Sequence, residues 1–416
     1  MTLLREKTTN QMSYIELTII VLFSAYYILP KFGEQFSFYI ALALGVIYVG
    51  YAAFNNPKIT KYAVICFLLF VWISILYTFT TKGTTISAEA DHHLLKRFLS
   101  KLHQLFFSFF PLLLLVQTLK KANQKQKDFL IFAIGILLLY VMILTMRETI
   151  INPDIMRQWY SDDETIKEKN IAGYYFVYLV PILVAIAVLS LLHCRQWIKK
   201  VAAAGVIVFL FAFLIAAQYT LAFLITIIGI ILIILNSGTK RVYKTIVVSL
   251  LIIFMLFLPN VLQLLINNIS SQQMKIRLTE LYNFFSEGDS SGYNLHGRLT
   301  LYWKTFKAFL YSPIWGNYLV DGMSGHATML TVLADIGLLG GIPFYWFYFF
   351  GNRLVGQLIQ DSDKRFLILF IMLMLMGFTN PIEAAFPLSL TVWFFGPLLL
   401  KKLYEMGSNH EKNMEN

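Results

Sequence analysis

Arg277, Arg298, Trp303 and His326 fall within one polar stretch, residues 267–327, and their types suit group transfer at an anionic substrate. An arginine offers a planar fork that gives two parallel charge-assisted hydrogen bonds to a phosphate or pyrophosphate, and it stays ionised even where water is scarce. A histidine with an ordinary pKa of about 6.5 is mostly neutral at pH 7, so an imidazole beside a sugar hydroxyl can take its proton. Each residue also has a plainer use. Arg298 can snorkel toward phospholipid phosphates, His326 can cap the segment that follows it, and Trp303 and Trp315 suit anchors at a membrane interface. The side chains alone leave both uses open.

The elements that must hold these groups are legible in the same stretch. Met274, Leu278, Leu281, Tyr282 and Phe285 recur on one helical face, with Lys275, Thr279 and Asn283 opposite. Residues 287–292 are turn-rich and break the chain. A second amphipathic helix follows, with Leu299, Tyr302, Trp303, Phe306 and Leu310 on one face and Lys304 and Lys307 on its polar side. Both helices are expected to lie on a membrane surface. Pro313 pushes Ser312 out of helical geometry and Gly316 permits a tight turn, so the second helix ends there. Gly325 and His326 then open the next apolar segment. Within it, Gly337, Gly340 and Gly341 predict close approach of helices, and Pro343 predicts a kink.

Everything around this stretch is apolar. Of 416 residues, 58% are hydrophobic and 14% charged, and the mean hydropathy is +0.65, which excludes a soluble domain and predicts an all-α polytopic membrane protein, residues 1–416 forming one integral membrane domain. About twelve transmembrane helices are expected, with cores at 14–30, 37–54, 62–80, 102–119, 129–146, 171–193, 201–217, 219–236, 245–266, 328–350, 366–382 and 384–400. The first reads as a retained anchor. No internal repeat is evident.

Basic residues cluster in alternate connections: Arg5 and Lys7, Lys58 and Lys61, Lys120 to Lys127, Arg195 to Lys200, Lys240 to Lys244, Arg353 to Arg365, and Lys401 with Lys402. The positive-inside rule then predicts both termini cytoplasmic and the long connections 81–101, 147–170 and 267–327 on the outer face, so chemistry is expected there. The same pattern explains most of the formal charge of +11 without nucleic acid. Cys66 and Cys194 behave as small hydrophobes inside or at the end of spans, and no disulfide, metal or cofactor is expected. Asp91, His92 and His93 lack further ligands for a metal, and residues 162–164 suit a solvated turn. Arg147, Arg157, Lys167 and Lys169 are further cations for a phosphate, and Gln218 and Tyr219 lie at an outer turn facing the same surface.

Arg298, Trp303, Ser312-Pro-Ile-Trp-Gly316, Gly325-His326, Leu330 and Asp335-Ile-Gly337-Leu-Leu-Gly340 together resemble the signature region of the O-antigen polymerase and ligase family, in which an arginine and a helix ending in Ser-Pro-x-x-Gly precede a histidine that opens a span. Lys169-Asn170-Ile-Ala-Gly173 resembles that family's Asn-containing approach to a middle span. The close match covers about a tenth of the chain, and the remainder is similar in architecture. The resemblance implies a metal-independent glycosyltransferase of the bacterial inner or cytoplasmic membrane. Its donor would be an undecaprenyl-pyrophosphate-linked oligosaccharide, with membrane lipids, a chain-length regulator and a flippase as partners. It assigns His326 as general base on the acceptor hydroxyl and Arg298 as stabiliser of the departing pyrophosphate. Where many family members carry a second arginine, this chain reads Ala217-Gln218-Tyr219-Thr220. That leaves open whether Arg147, Arg157, Lys169 or Arg277 replaces the charge or the contact is arranged differently.

Two reactions fit these groups equally: polymerisation of lipid-linked repeats, the first expectation, and ligation to lipid A core or another terminal acceptor. A glycolipid transporter or flippase is the third reading. A translocation path needs ionisable groups at mid-membrane depth, and the span centres are nearly free of them.

Overall fold

Apolar runs of this length satisfy every backbone polar group only as helices, and the computed structural model, which describes residues 12–35, 38–54, 57–79, 90–152, 155, 169–194, 196–217, 219–236, 241–268, 272–287, 293–317, 327–361, 364–383 and 385–412, contains helices and no strand among them. In chain order the helices are α1 (Tyr14–Ile28), α2 (Pro30–Gln35), α3 (Phe38–Phe54), α4 (Pro57–Phe79), α5 (Ala90–Lys121), α6 (Gln124–Ile151), α7 (Tyr174–Val177), α8 (Val180–His193), α9 (Trp197–Ala217), α10 (Thr220–Asn236), α11 (Arg241–Asn268), α12 (Gln272–Glu287), α13 (Tyr293–Tyr311), α14 (Thr328–Ile359), α15 (Arg365–Thr379) and α16 (Phe386–Leu390). A π-helical turn at Thr391–Phe395 carries α16 into α17 (Gly396–Lys412). Among the described residues, seven segments are long and apolar enough to cross a membrane: Tyr62–Phe79, Leu94–Lys121, Gln124–Ile151, Tyr174–His193, Trp197–Ala217, Thr328–Ile359 and Phe386–Glu405. The protein is therefore an all-α, multi-pass membrane protein. Tyr14–Ile28, Phe38–Ala53, Leu221–Asn236 and Arg365–Thr379 are shorter apolar helices.

Burial separates the centre from the rim. The most apolar stretch of α5 is 83% buried and that of α7 and α8 72%, against 33% for α6 and 28% for α9, so α5 and α8 run through the middle while α6 and α9 turn most of their surface outward to lipid. Phe107, Phe110, Phe344, Phe347, Trp393 and Phe394 fill the core. Phe70 stacks on Phe347 at 4.5 Å and on Phe109 at 5.7 Å, which joins α4, α5 and α14.

One end of this bundle is fastened by polar contacts. Ser13 and Glu16 form a capping box that starts α1, and Asn123 and Gln126 form another that starts α6. Lys121 pairs with Glu16 at 3.0 Å, and the Gln126 amide donates to the Met12 carbonyl at 2.9 Å. The opposite end carries Asn380 and Thr328, and the site described below lies there.

α14 is not continuous. Its backbone leaves helical geometry at Gly337 (φ 57°, ψ −160°), so a short segment beginning at Thr328 precedes a long one. The break falls six residues before Pro343, the expected kink, because a segment from outside the helix is inserted at Gly337. The glycine run therefore does not simply bring two helices together at this point.

Candidate functional site

Arg298 reaches the bundle from α13. Its guanidinium donates to the Tyr302 phenol one turn along the helix and acts electrostatically on Tyr178. The Tyr302 hydroxyl in turn donates to the Thr379 carbonyl at 3.0 Å, at the last turn of α15. Burial raises the Tyr302 phenol above its usual range and the charge and hydrogen bond of Arg298 oppose that shift, so the group stays protonated and available as a donor at physiological pH.

Asn380 is the hub. It leaves α15 in extended geometry and is 1% exposed. Its side-chain oxygen accepts from the Tyr174 hydroxyl at 2.6 Å and from the Tyr178 hydroxyl at 2.9 Å, and its amide donates to Thr379 at 3.0 Å. Its carbonyl accepts from the Thr328 backbone at 3.2 Å, while the Thr328 hydroxyl accepts from the Ile382 backbone at 2.8 Å. The start of α14, two residues after His326 in sequence, is thus tied to Asn380. Tyr219 completes the group with its ring 5.6 Å from that of Tyr174 and 6.2 Å from that of Tyr178. Four phenols, one carboxamide and one guanidinium meet where α13, α14, α15 and the starts of α7 and α10 converge.

A second polar cluster shares the connection that carries Asn380. Glu383 forms an ion pair with Lys101 of α5, and the Ser108 hydroxyl donates to the Glu383 carbonyl at 2.8 Å. The Lys101 ammonium lies 3.6 Å from the centre of the Tyr77 ring, on which both Glu383 and Asp335 act electrostatically. The pair is mostly buried, 14% and 16% exposed, so each charge depends on the other.

The height and angle of α13 are set by residues 312–317. Asn317 donates from its backbone to the Ala334 carbonyl at 2.7 Å and from its side chain to the Ala308 carbonyl at 3.1 Å. The carbonyls of Pro313 and Ile314 accept from the backbones of Leu338 and Leu339 at 2.8 and 3.2 Å. Those are the first N–H groups of the long segment of α14, which would otherwise lack partners beyond the break. The contact is so close that a Cβ at Gly316 would lie 2.3 Å from the Asp335 carbonyl oxygen, and one at Gly337 2.3 Å from the Ile314 carbonyl oxygen. Both glycines also hold positive φ, 85° and 57°.

Of the side chains expected at the site, Arg298 and Tyr219 are brought together. Trp303 is exposed, stacked on Phe306 at 5.8 Å with the Lys307 ammonium 5.4 Å from its ring. Arg147 is exposed on the last part of α6, and Lys169 pairs with Glu148 at 3.2 Å. Beside Lys169, the Asn170 side chain accepts from the Lys31 backbone at 3.0 Å and the Ala172 backbone donates to Thr145 at 2.7 Å, so this approach to α7 is pinned to α2 and α6. The backbone of Arg277 lies in α12 and its side chain is outside the described residues, as are His326, Arg157 and Gln218. Sequence reasoning missed Asn380, Tyr174, Tyr178, Lys101 and Glu383. The available signals were the Tyr174/Tyr178 pair one helical turn apart and the polar interruption Thr379-Asn-Pro-Ile-Glu383 between two apolar runs.

Fold and cluster together define a multi-pass helical membrane protein with a tyrosine-rich polar site at one end of its bundle. No family model matches the chain, and no curated protein matches it.

Proposed function

We propose that the protein is a bacterial surface-polysaccharide repeat-unit polymerase. It takes glycan from undecaprenyl pyrophosphate and adds it to a carrier-linked repeat on the outer face of the cytoplasmic membrane. In this reading about twelve helices cross the membrane, both termini are cytoplasmic, and residues 267–327 form the outward loop. The carrying observation is that Arg298, on a helix fixed by residues 312–317, meets Tyr302, Tyr178 and the Asn380 hub beside the start of α14.

The chemistry needs few parts. His326 takes the proton of the acceptor hydroxyl, the resulting oxygen attacks the anomeric carbon of the donor, and the bond from that carbon to the pyrophosphate oxygen breaks. Arg298 neutralises the charge that develops on the pyrophosphate, a good leaving group, so positioning and charge supply much of the rate. Neutral phenols around Asn380 suit sugar hydroxyls, for which a second fixed cation is unnecessary, and Tyr219 stands among them where the family pattern has arginine. Lys101 and Glu383 lie roughly 20 residues of α5, about 30 Å, from Lys121 at the other end of the bundle. Charges at the end of a span favour surface chemistry over a transport path.

The test is the length distribution of carrier-linked glycan in a host lacking the protein, compared with the same host carrying it. Single repeats accumulating on the carrier are the expected result. Long carrier-linked chains that never reach a final acceptor would replace polymerase by ligase, and an unchanged distribution would remove both.

A further inference from the structure

Two buried polar atoms near the fastened end of the bundle take no part in the chemistry above. The Tyr48 hydroxyl of α3 and the Gln117 side-chain oxygen of α5 are sealed from solvent and find no hydrogen-bond partner among the described residues. Tyr48 is 4% exposed and Gln117 1%. A hydrogen bond left unmade in such a place is costly, so an orphaned donor close to an orphaned acceptor points to something that joins them.

Helix geometry brings the two to one place. Phe23 and Glu16 are seven residues apart on α1, and Phe110 and Gln117 seven apart on α5, so each pair shares a face across two turns, about 10 Å. At one level the rings of Phe23 and Phe110 meet at 4.7 Å, and at the other the Gln117 amide donates to the Glu16 carboxylate at 3.3 Å. The Tyr48 ring packs on Phe23 at 6.5 Å and on Phe110 at 5.9 Å, and Glu16 acts electrostatically on its phenol. Three rings thus cap a polar region whose floor is the pair of Glu16 and Lys121. The Gln117 nitrogen must face Glu16, because a carboxylate only accepts, and this fixes the Gln117 oxygen on the other side of the amide. That oxygen needs a donor and the Tyr48 hydroxyl needs an acceptor, yet they do not bond each other. A water molecule supplies both: it accepts from Tyr48 and donates to Gln117, and the negative Glu16 draws its second proton. A metal cation fits less well, because Lys121 already neutralises Glu16 at 3.0 Å and Tyr48 presents a proton.

We propose that one ordered water molecule is bound between Tyr48, Gln117 and Glu16, where it hydrogen-bonds α3 to α5 beside the start of α1. The site is separate from the glycan chemistry and stands whether or not that reading holds.

Water itself is the probe. Radiolysis of the full-length protein in detergent micelles converts bound water to hydroxyl radical, which oxidises the side chains beside it, and mass spectrometry reads the rate at each residue. Tyr27 is the control, since it is 3% exposed and its hydroxyl donates to the Phe107 carbonyl at 2.7 Å. Tyr48 is expected to be oxidised about tenfold faster than Tyr27, because only Tyr48 has a buried water as neighbour. Equal rates overturn the proposal, and this comparison requires no variant to fold. The second measurement is the unfolding midpoint of Tyr48→Phe. Loss of a water-bridged hydroxyl is expected to lower it by several degrees, whereas loss of an unsatisfied one would raise it. A raised or unchanged midpoint therefore overturns the proposal. A wild-type midpoint higher in sodium chloride than in choline chloride at the same concentration would put a cation in place of the water and overturns it as well.

Discussion

Two phenols donate to a single oxygen of Asn380, a carboxamide with two lone pairs to accept them. Replacing Asn380 by Leu leaves both Tyr174 and Tyr178 without that acceptor in a buried place, at about 1–3 kcal/mol for each donor left unsatisfied. The expected outcome is a fall of several degrees in the unfolding midpoint in detergent, largely restored in Asn380→Asp, which keeps the acceptor. Equal midpoints for Asn380→Leu and the parent would show that the tyrosines find other partners. Arg298 calls for a different comparison. A lysine there keeps the charge and loses the fork, so Arg298→Lys should cut polymer formation about 10²-fold, whereas Lys304→Ala on the exposed side of α13 should leave it near normal. His326→Ala should abolish product in a chain that still inserts. Similar activities for Arg298→Lys and Lys304→Ala would remove Arg298 from the donor contact. Arg298 and His326 were conspicuous in the sequence because their types are uncommon in an apolar chain. Asn380 was not, because its partners Tyr174 and Tyr178 lie 206 and 202 residues away and no local period links them.

Among the elements, α13 was the easiest to foresee and the easiest to misjudge. Its extent, its stop at Ser312 and Pro313 and the turn at Gly316 follow from local chemistry. Its packed face does not: Leu299, Trp303 and Leu310 are exposed, while Thr305 and Ala308 are buried, the latter beside Ala334 of α14. Small residues let backbones approach, and the large apolar ones remain for lipid, so apolarity does not report burial in such a protein. The same ambiguity hid the role of Gly337, since a glycine run in an apolar span reads as helix packing until the inserted segment is seen. Gly337→Ala should therefore act at a distance. The positive φ alone costs about 1–3 kcal/mol, and the new methyl meets the backbone of Ile314, so residues 312–317 must shift and carry α13 with them. Both the unfolding midpoint and polymer formation should fall, although Gly337 touches no part of the proposed substrate site. Gly135→Ala in α6, where a Cβ meets nothing within 4 Å, should change neither. Normal activity in Gly337→Ala would mean that Arg298 is held by something other than this lock.

For the whole molecule, hydropathy located the helices and could not rank them, because lipid and protein interior are about equally apolar. α5 and α6 look alike as apolar segments, yet one is central and the other peripheral. What distinguishes α5 is its aromatic content: Phe106, Phe107, Phe109 and Phe110 give it rings on several faces, and a helix with partners all round belongs in the middle. Orientation rests on a different physical effect, the retention of basic connections on the cytoplasmic side. The fastened end of the bundle holds Lys121 paired with Glu16, Lys402 paired with Asp128, and Lys401, and the Asn380 end holds Arg298 beside the pair Lys101 and Glu383, so the side each end faces is the expectation from the basic connections that labelling must test. With Cys66 and Cys194 replaced by Ala, a single cysteine introduced as Ser290→Cys should react with a membrane-impermeant maleimide in intact cells. One introduced as Ser408→Cys should react only after the membrane is opened. The reverse pattern would put residues 267–327 on the cytoplasmic side, out of reach of a glycan on the outer face. Labelling of both in intact cells would place the C-terminal end on the outer side, opposite to the side expected from the basic residues.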